Sequence, residues 1–452
     1  MAVAPFASLS KILTSKAAKT PAQPSAPARA SAPPPAPSSS FLPYGRQCIE
    51  DDDIEAVVAA LRGELLTTGP VVGRFEQAIA ALTGAREAIA CSSGTAALYM
   101  AARALGLGLG HTIIVPAITF TATASAPHLL GAEVVFADVD PETGLMRASD
   151  LEAALARTPL RRADAVFPVH YAGQSCDIES ISAFARTRGI WIIEDAAHAL
   201  GAAWTARDGA ILPIGANVHS DMTIFSFHPV KTIAMGEGGA VTASDPELVR
   251  RLKLGRNHGI TREPSEFVHN DAAFDATGAV NPWYYELGAP GFNFRVSDIN
   301  CALGLSQLSK LNRFVARRRS LVACYDELLA PLAPLVRPLG RDPRSLSAWH
   351  IYPVRIDFAA ARISRADLMR ALAAEGIGTQ VHYIPVHRQP YYAARYGVAE
   401  LPGAEAYYAT TLTLPLYAGM SDGDVTRIVG ALRRHLKLLL RPLYRPAGLP
   451  FA

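Results

Sequence analysis

The stretch GIWIIEDAAHALG, Gly189–Gly201, runs from four apolar residues directly into two carboxylates and a turn of small residues. An apolar run this short, opened by a glycine, predicts a strand buried on both faces, as in a parallel sheet covered by helices. The same pattern recurs in EAIACSS, HTIIVPA, AEVVFADV, ADAVFPVH, MTIFSFH and GGAVTA, with helix-like stretches such as GTAALYMAARALG and IESISAFARTRG between them. Strands alternating with helices are βαβ units. The expectation is an α/β protein with a large, mostly parallel sheet within residues 41–290. One long helical stretch, SDINCALGLSQLSKLNRFVARRRSLVACYDELL, then leads into a small α+β domain within residues 291–440. Its elements are HIYPVRIDF, a helix around RADLMRALAAEG, TQVHYIPVH as an extended segment, and a last helix DGDVTRIVGALRRHLKLL.

Of the 452 residues, half are hydrophobic and 18% charged, enough for a large buried core. The formal charge of +3 misleads, because the first forty residues hold Lys11, Lys16, Lys19 and Arg29 and no acid. The remainder is almost neutral and offers no basic face to a nucleic acid. Residues 1–40, rich in Ala, Pro and Ser, read as a disordered tail, and residues 441–452 as a second tail. Within the first, FASLSKILTSKAAK has the pattern of a basic amphipathic helix, which leaves a transit-like or membrane-touching role open. Cys48, Cys91, Cys176, Cys301 and Cys324 are scattered and odd in number. That spacing argues against a disulfide framework and against a metal site, and fits a reducing cytoplasm. No apolar run reaches the ~18 residues of a membrane span.

Ligands of open parallel sheets sit beyond the carboxyl ends of the strands. Four segments fall there. In SSGTAAL, Gly94 and Thr95 could offer backbone N–H groups to a phosphate at a helix N-terminus, although the same residues make an ordinary strand-to-helix turn. Asp195 follows a very apolar strand, where a carboxylate needs a cation such as a protonated pyridine nitrogen, or serves as a helix cap. His198, three residues on, is placed for a cofactor ring or for the core. In FSFHPVKTIAMGEGGAV, Lys231 follows the strand bearing Ser226, in a loop closed by Gly236, Gly238 and Gly239. Held in a partly dry pocket it is a Schiff-base nucleophile, and in water an ordinary loop lysine. Phe120 of ITFTATAS is either a ring that lies on a cofactor or a core residue.

Taken in order, SSGTAAL, TFTAT, EDAAHALG, FSFHPVK and GFNFR resemble the DegT/DnrJ/StrS sugar aminotransferases, pyridoxal-phosphate (PLP) enzymes of the aspartate-aminotransferase fold type, fold type I. The resemblance runs from about Tyr44 to Leu438. HYAGQSCDIESI, RLKLGRNHGI, FNFRVSDINCALGLSQL, QVHYIPVH and AEAYYATTLTLPLY are similar to the subgroup serving pseudaminic acid synthesis, and His198 stands where the wider family usually has Gln. By that resemblance Lys231 carries the cofactor, Asp195 pairs with the pyridine nitrogen, His198 contacts the ring and Phe120 stacks on it. Gly94, Thr95 and Ser226 hold the phosphate, with Asn293 reaching it from a second subunit of a homodimer. Tyr44, the segment Glu64, Leu65, Leu66 and Thr67, and the segment Gln380, Val381, His382 and Tyr383 line the sugar side. The resemblance further implies L-glutamate as donor and a UDP-linked keto-deoxysugar as acceptor. Lys231 argues against the sugar dehydratases of the same fold, which carry histidine there. A non-enzymatic copy would be expected to have lost one of Lys231, Asp195 or Ser226. The tail, the stretch EFVHNDAAFDATGAVN and the end RPLYRPAGLPFA have no counterpart in that resemblance.

Overall fold

Strands apolar at nearly every position must bury both faces, and in the computed structural model they do. The structure describes residues 41–397 and 399–436, so the expectations for residues 1–40 and 441–452 lie outside the described residues. All seven expected strands of the first region form: β1 (Glu87–Cys91), β2 (Thr112–Pro116), β3 (Glu133–Ala137), β4 (Ala165–Val166), β5 (Trp191–Asp195), β6 (Met222–Ser226) and β7 (Gly239–Ala243). They make one sheet in the order β1-β7-β6-β5-β4-β2-β3. Only β7 runs against the others, antiparallel to both β1 and β6. The remaining neighbours pair in parallel, with helices between successive strands from β1 to β5 and short strands, Ala203–Thr205 and Ile211–Pro213, between β5 and β6.

This order places the chemistry. Asp195 ends β5 and Ser226 ends β6, the next strand over. Gly239 opens β7 opposite both Cys91, the end of β1, and Ser226. The helix Gly94–Ala104 starts two residues beyond β1, so its first turn lies beside Ser226. Glycine is required where these backbones meet. A Cβ on Gly239 would overlap the Ser93 carbonyl, and one on Gly94 would lie 2.8 Å from the Ser226 Cβ.

A second, smaller core lies against an antiparallel sheet of β8 (Val336–Pro338), β9 (Tyr352–Ile356) and β10 (Thr411–Leu414). Here two expectations fail. TQVHYIPVH is not a strand: only Gln380 bridges, to Thr413, and beyond Pro385 the chain turns into a short 3-10 helix, Val386–Arg388. Proline lacks the N–H that a ladder needs. The third strand is instead TLTL, whose four residues are all buried. The long helical stretch is also two helices, Asp298–Ser309 and Leu311–Leu329, which meet at Lys310. Its ammonium is drawn to the N-terminus of the helix Asp51–Leu61, 2.5 Å from Asp52 and 2.8 Å from Asp53. Among the described residues no helix is long and apolar enough to cross a membrane.

Asp53 is fully buried. Burial opposes its ionisation, but hydrogen bonds from Lys310, Ser306 and Gln307 and from the Glu50 backbone outweigh it and hold its pKa below the ordinary 3.8. Lys310→Met strands that charge and should cost about 3 kcal/mol in urea unfolding at pH 7. Because the folded pKa is depressed, the contribution is full at neutral pH and is lost as the pH falls below about 4. The gap between the variant and the parent should therefore narrow in acid; a gap that stays constant would rule the cluster out as its source.

Candidate active site

Asp195 is 4% exposed at the carboxyl end of β5. Burial raises its pKa, and the groups around it oppose the shift. The Thr123 hydroxyl donates to Oδ2 at 2.7 Å and is itself paired with the Thr119 hydroxyl, while the Ala197 N–H donates to Oδ1 at 3.1 Å. None of these donors is charged. A carboxylate held this way in a dry site is a receptor for a cation.

Lys231 lies in the loop after β6, half-buried; its N–H donates to the His228 carbonyl at 2.8 Å, and its amine has no hydrogen bond or ion pair to any described residue. Burial pulls its pKa down to about 8, against the opposing pull of Asp195. The amine is thus close to the neutral, nucleophilic form at physiological pH.

Around these two stands a set of neutral rings. His198 Nε2 lies 3.0 Å from the Tyr383 hydroxyl, with the two rings inclined by only 28°. Its other face meets His350, ring centroids 4.4 Å apart. Burial, with Lys231 and His382 adding to it, keeps the His198 pKa well below the usual imidazole value. His382 bonds through Nδ1 to the Thr413 hydroxyl at 2.9 Å, and burial pushes its pKa down to about 3. The Tyr171 hydroxyl donates to the His382 carbonyl and is shared with Tyr407. The Tyr44 ring lies 5.3 Å from that of His382. Phe120 presents an exposed ring 6.2 Å from that of Tyr383.

On the other side, Ser93 caps the helix Gly94–Ala104 by accepting from Ala96 N–H. The first-turn N–H groups of Gly94 and Thr95 lack intrahelical partners, as at any helix start, and favour an anion. With Ser226 beside Gly94, they form a cradle that a single Cβ would close.

The fold thus gathers Lys231, Asp195, His198, His382, Tyr383, Tyr44 and Phe120, and separately joins Gly94, Thr95 and Ser226. The remaining expected residues make no side-chain hydrogen bond or ring contact with this cluster among the described residues. Asn293 is exposed and accepts only from Arg295 N–H of its own loop. Glu64, Leu65, Leu66 and Thr67 are exposed, with Leu66 held through its carbonyl by Asp298 N–H. Glu64 and Leu65 border a groove between the helices Asp51–Leu61 and Asp298–Ser309 that none of Lys231, Asp195 and His198 lines. Gln380 turns its side chain back on Val381 N–H. The sequence reading missed Thr123, Tyr171, His350, Tyr407 and Thr413. All five lay in segments already quoted (TFTAT, HYAGQSCDIESI, HIYPVRIDF and AEAYYATTLTLPLY) without being singled out themselves.

Residues 47–433 match the model of the DegT/DnrJ/EryC1/StrS aminotransferase family. The chain belongs to that family. It is 39% identical over 400 residues to the spore coat polysaccharide biosynthesis protein SpsC of Bacillus subtilis (strain 168), covering 88% of this chain and 97% of SpsC. Among solved structures it is similar to Helicobacter pylori PseC, an aminotransferase involved in the biosynthesis of pseudoaminic acid. That match has a TM-score of 0.78 and 28% identity, and covers 88% of this chain and all of PseC. Spr1654 of Streptococcus pneumoniae, known in PLP and PMP forms, matches its PLP form with a TM-score of 0.76 at 27% identity over 88% of this chain and 99% of that one. The chain is a PLP-dependent sugar aminotransferase of fold type I. The residues present fit that cofactor: an anion cradle at Gly94, a buried carboxylate without a cation, and an amine of lowered pKa.

Two outcomes test this geometry. Gly94→Ala should weaken cofactor binding at least about tenfold, read by absorbance titration, because its methyl takes the space beside Ser226; unaltered affinity would move the phosphate elsewhere. In cofactor-free protein, acetylation of Lys231 should titrate with a midpoint near pH 8. A midpoint near that of surface lysines, about 10.4, would mean that the pocket is wet.

Proposed function

We propose that the enzyme transfers an amino group from L-glutamate to C4 of a UDP-linked 4-keto-6-deoxy-N-acetylhexosamine. The product is UDP-4-amino-4,6-dideoxy-N-acetyl-β-L-altrosamine, an intermediate of pseudaminic acid biosynthesis. One observation carries the choice of sugar: His382 and Tyr383 of the QVHY segment close on His198, in a chain similar to PseC along its whole length.

PLP, when bound, supplies the electron sink that makes the donor Cα–H acidic. Lys231, its amine freed, would serve as the base that takes the Cα proton and then as the acid that gives it back. Asp195, fixed by Thr123 and Ala197, keeps the pyridine nitrogen protonated. His198, held neutral and oriented by Tyr383, packs at the ring, and Phe120 covers its open face. Gly94, Thr95 and Ser226 hold the phosphate. For the second half-reaction the same proton transfers run in reverse at the sugar C4, with Tyr44 and Gln380–Tyr383 on the sugar side.

The exposure of Asn293 and of Glu64–Thr67 favours a homodimer in which a second copy supplies these segments. Five cysteines without a disulfide favour a cytoplasmic enzyme. Residues 41–290 then act as the cofactor-binding domain and 291–440 as a smaller domain that completes the sugar side. A second reading is an aminotransferase of the same family acting on a different 4-keto nucleotide sugar. It is favoured by the greater identity to SpsC, 39%, than to PseC, 28%.

Purified enzyme with PLP and L-glutamate should aminate the L-arabino epimer of the UDP-linked 4-keto-6-deoxy-N-acetyl sugar, seen by mass spectrometry and NMR. Amination of the D-xylo epimer alone would replace the first reading with the second. Lys231→Ala should lower turnover by at least about a thousandfold and abolish covalent cofactor attachment after borohydride reduction. Turnover at the parent rate would remove the lysine from the chemistry.

A further inference from the structure

Three segments far apart in the sequence, HYAGQ, QVHY and AEAYYATT, meet at one backbone carbonyl. The His382 carbonyl accepts from no backbone N–H among the described residues; its donor is the Tyr171 hydroxyl, at 2.7 Å. A carbonyl can only accept, so the one proton of that hydroxyl is committed there. Tyr407, whose oxygen lies 2.7 Å from that of Tyr171, must then be the donor of the pair. Its own oxygen accepts from the Thr411 hydroxyl at 3.1 Å. The hydroxyls therefore form a row with a single direction, from Thr411 through Tyr407 and Tyr171 to the His382 carbonyl. All three side chains are buried. Burial raises the pKa of Tyr171 well above the ordinary 10 and pushes that of Tyr407 up to about 12, so both hydroxyls stay protonated at neutral pH.

The row is anchored at both phenols. Tyr171 opens the short 3-10 turn Tyr171–Gly173, and the residue before it, His170, donates its N–H to the Asp195 carbonyl at 3.0 Å. Tyr407 stands on the helix Pro402–Thr410, where the Asp138 carboxylate accepts from Gly403 and Ala404 N–H at 2.9 and 2.7 Å. On the far side of the carbonyl, the Tyr383 hydroxyl lies 3.0 Å from His198 Nε2. The Tyr171 ring packs beside both, its centroid 6.3 Å from that of Tyr383 and 6.1 Å from that of His198. We propose that Tyr171 and Tyr407 are positioning residues for the amino transfer: they hold the His382 carbonyl, and through it Tyr383, so that His198 keeps one orientation at the cofactor ring. The inference rests on the reading of His198 as the residue at that ring.

The test uses the PLP-loaded protein. It reads the circular dichroism of the bound cofactor, with the single-turnover rate and half-saturating concentration for L-glutamate. Tyr171→Phe keeps the ring and leaves a buried carbonyl unpaired. It should lower the rate about tenfold, leave half-saturation within about twofold of the parent, and alter the dichroism as Tyr383→Phe does. Tyr407→Phe leaves Tyr171 donating to His382 and removes one bond behind it, so the rate should fall about threefold. That variant decides the matter alone if Tyr171→Phe does not fold. Since Tyr171 acts through Tyr383, the double variant should be within about twofold of Tyr383→Phe. Losses that multiply, or a lower melting temperature with the parent's rate and dichroism, would overturn the proposal. His198→Ala with unchanged dichroism would overturn it together with the placement of His198. A change in His198→Ala that neither tyrosine variant reproduces would overturn the hydroxyl row alone. No sugar enters the measurement, so the outcome is independent of the acceptor.

Discussion

A carboxylate buried at the end of a hydrophobic strand must be compensated, and the site is organised around that constraint at Asp195. Water does not solvate it, so Thr123, Ala197 and the nearby Lys231 do. The same dryness that raises the pKa of Asp195 lowers that of Lys231 and keeps His198 and His382 neutral. One environment thus prepares an acceptor for a protonated pyridine, a lysine close to its neutral form and imidazoles without charge. In water these groups would have ordinary pKa values and little to offer the reaction.

The small sheet contributes through position rather than charge. The segment after the helix Arg365–Ala374 leaves β10 at Gln380 and carries His382 and Tyr383 to the end of β5. Tyr171, just beyond β4, binds the His382 carbonyl, and Tyr383 binds His198. The two cores are joined at the site by hydrogen bonds between neutral groups. Such bonds set geometry without adding charge that would disturb Asp195 or Lys231. Arg318, a charged group, ties the helix Leu311–Leu329 to the carbonyls of residues 349, 350 and 416.

The seven strands of the large sheet were legible because each is a short apolar run, most of them separated by helices, and burial on both faces leaves no other reading. Lys231, Asp195, Ser226 and Gly94 were legible because they stand at strand ends, where an α/β sheet exposes its ligand site. The third strand of the small sheet and the break at Lys310 were not. TLTL carries no pattern that sets it apart from TQVHYIPVH until β9 pairs with it. The helix breaks at Lys310, whose ammonium is held by Asp52 and Asp53, more than 250 residues earlier.

The sequence by itself determined the α/β architecture, the family and the order of the cofactor residues, because local hydrophobic pattern and strand-end placement are written in neighbouring residues. Only the tertiary structure decided that Thr123 supports Asp195, that Tyr383 orients His198 and that Arg318 lies buried without an anion. It also left Asn293 and Glu64–Thr67 exposed. These are matters of desolvation and contact between residues 31 to 185 positions apart, and such contacts exist only once the chain has folded.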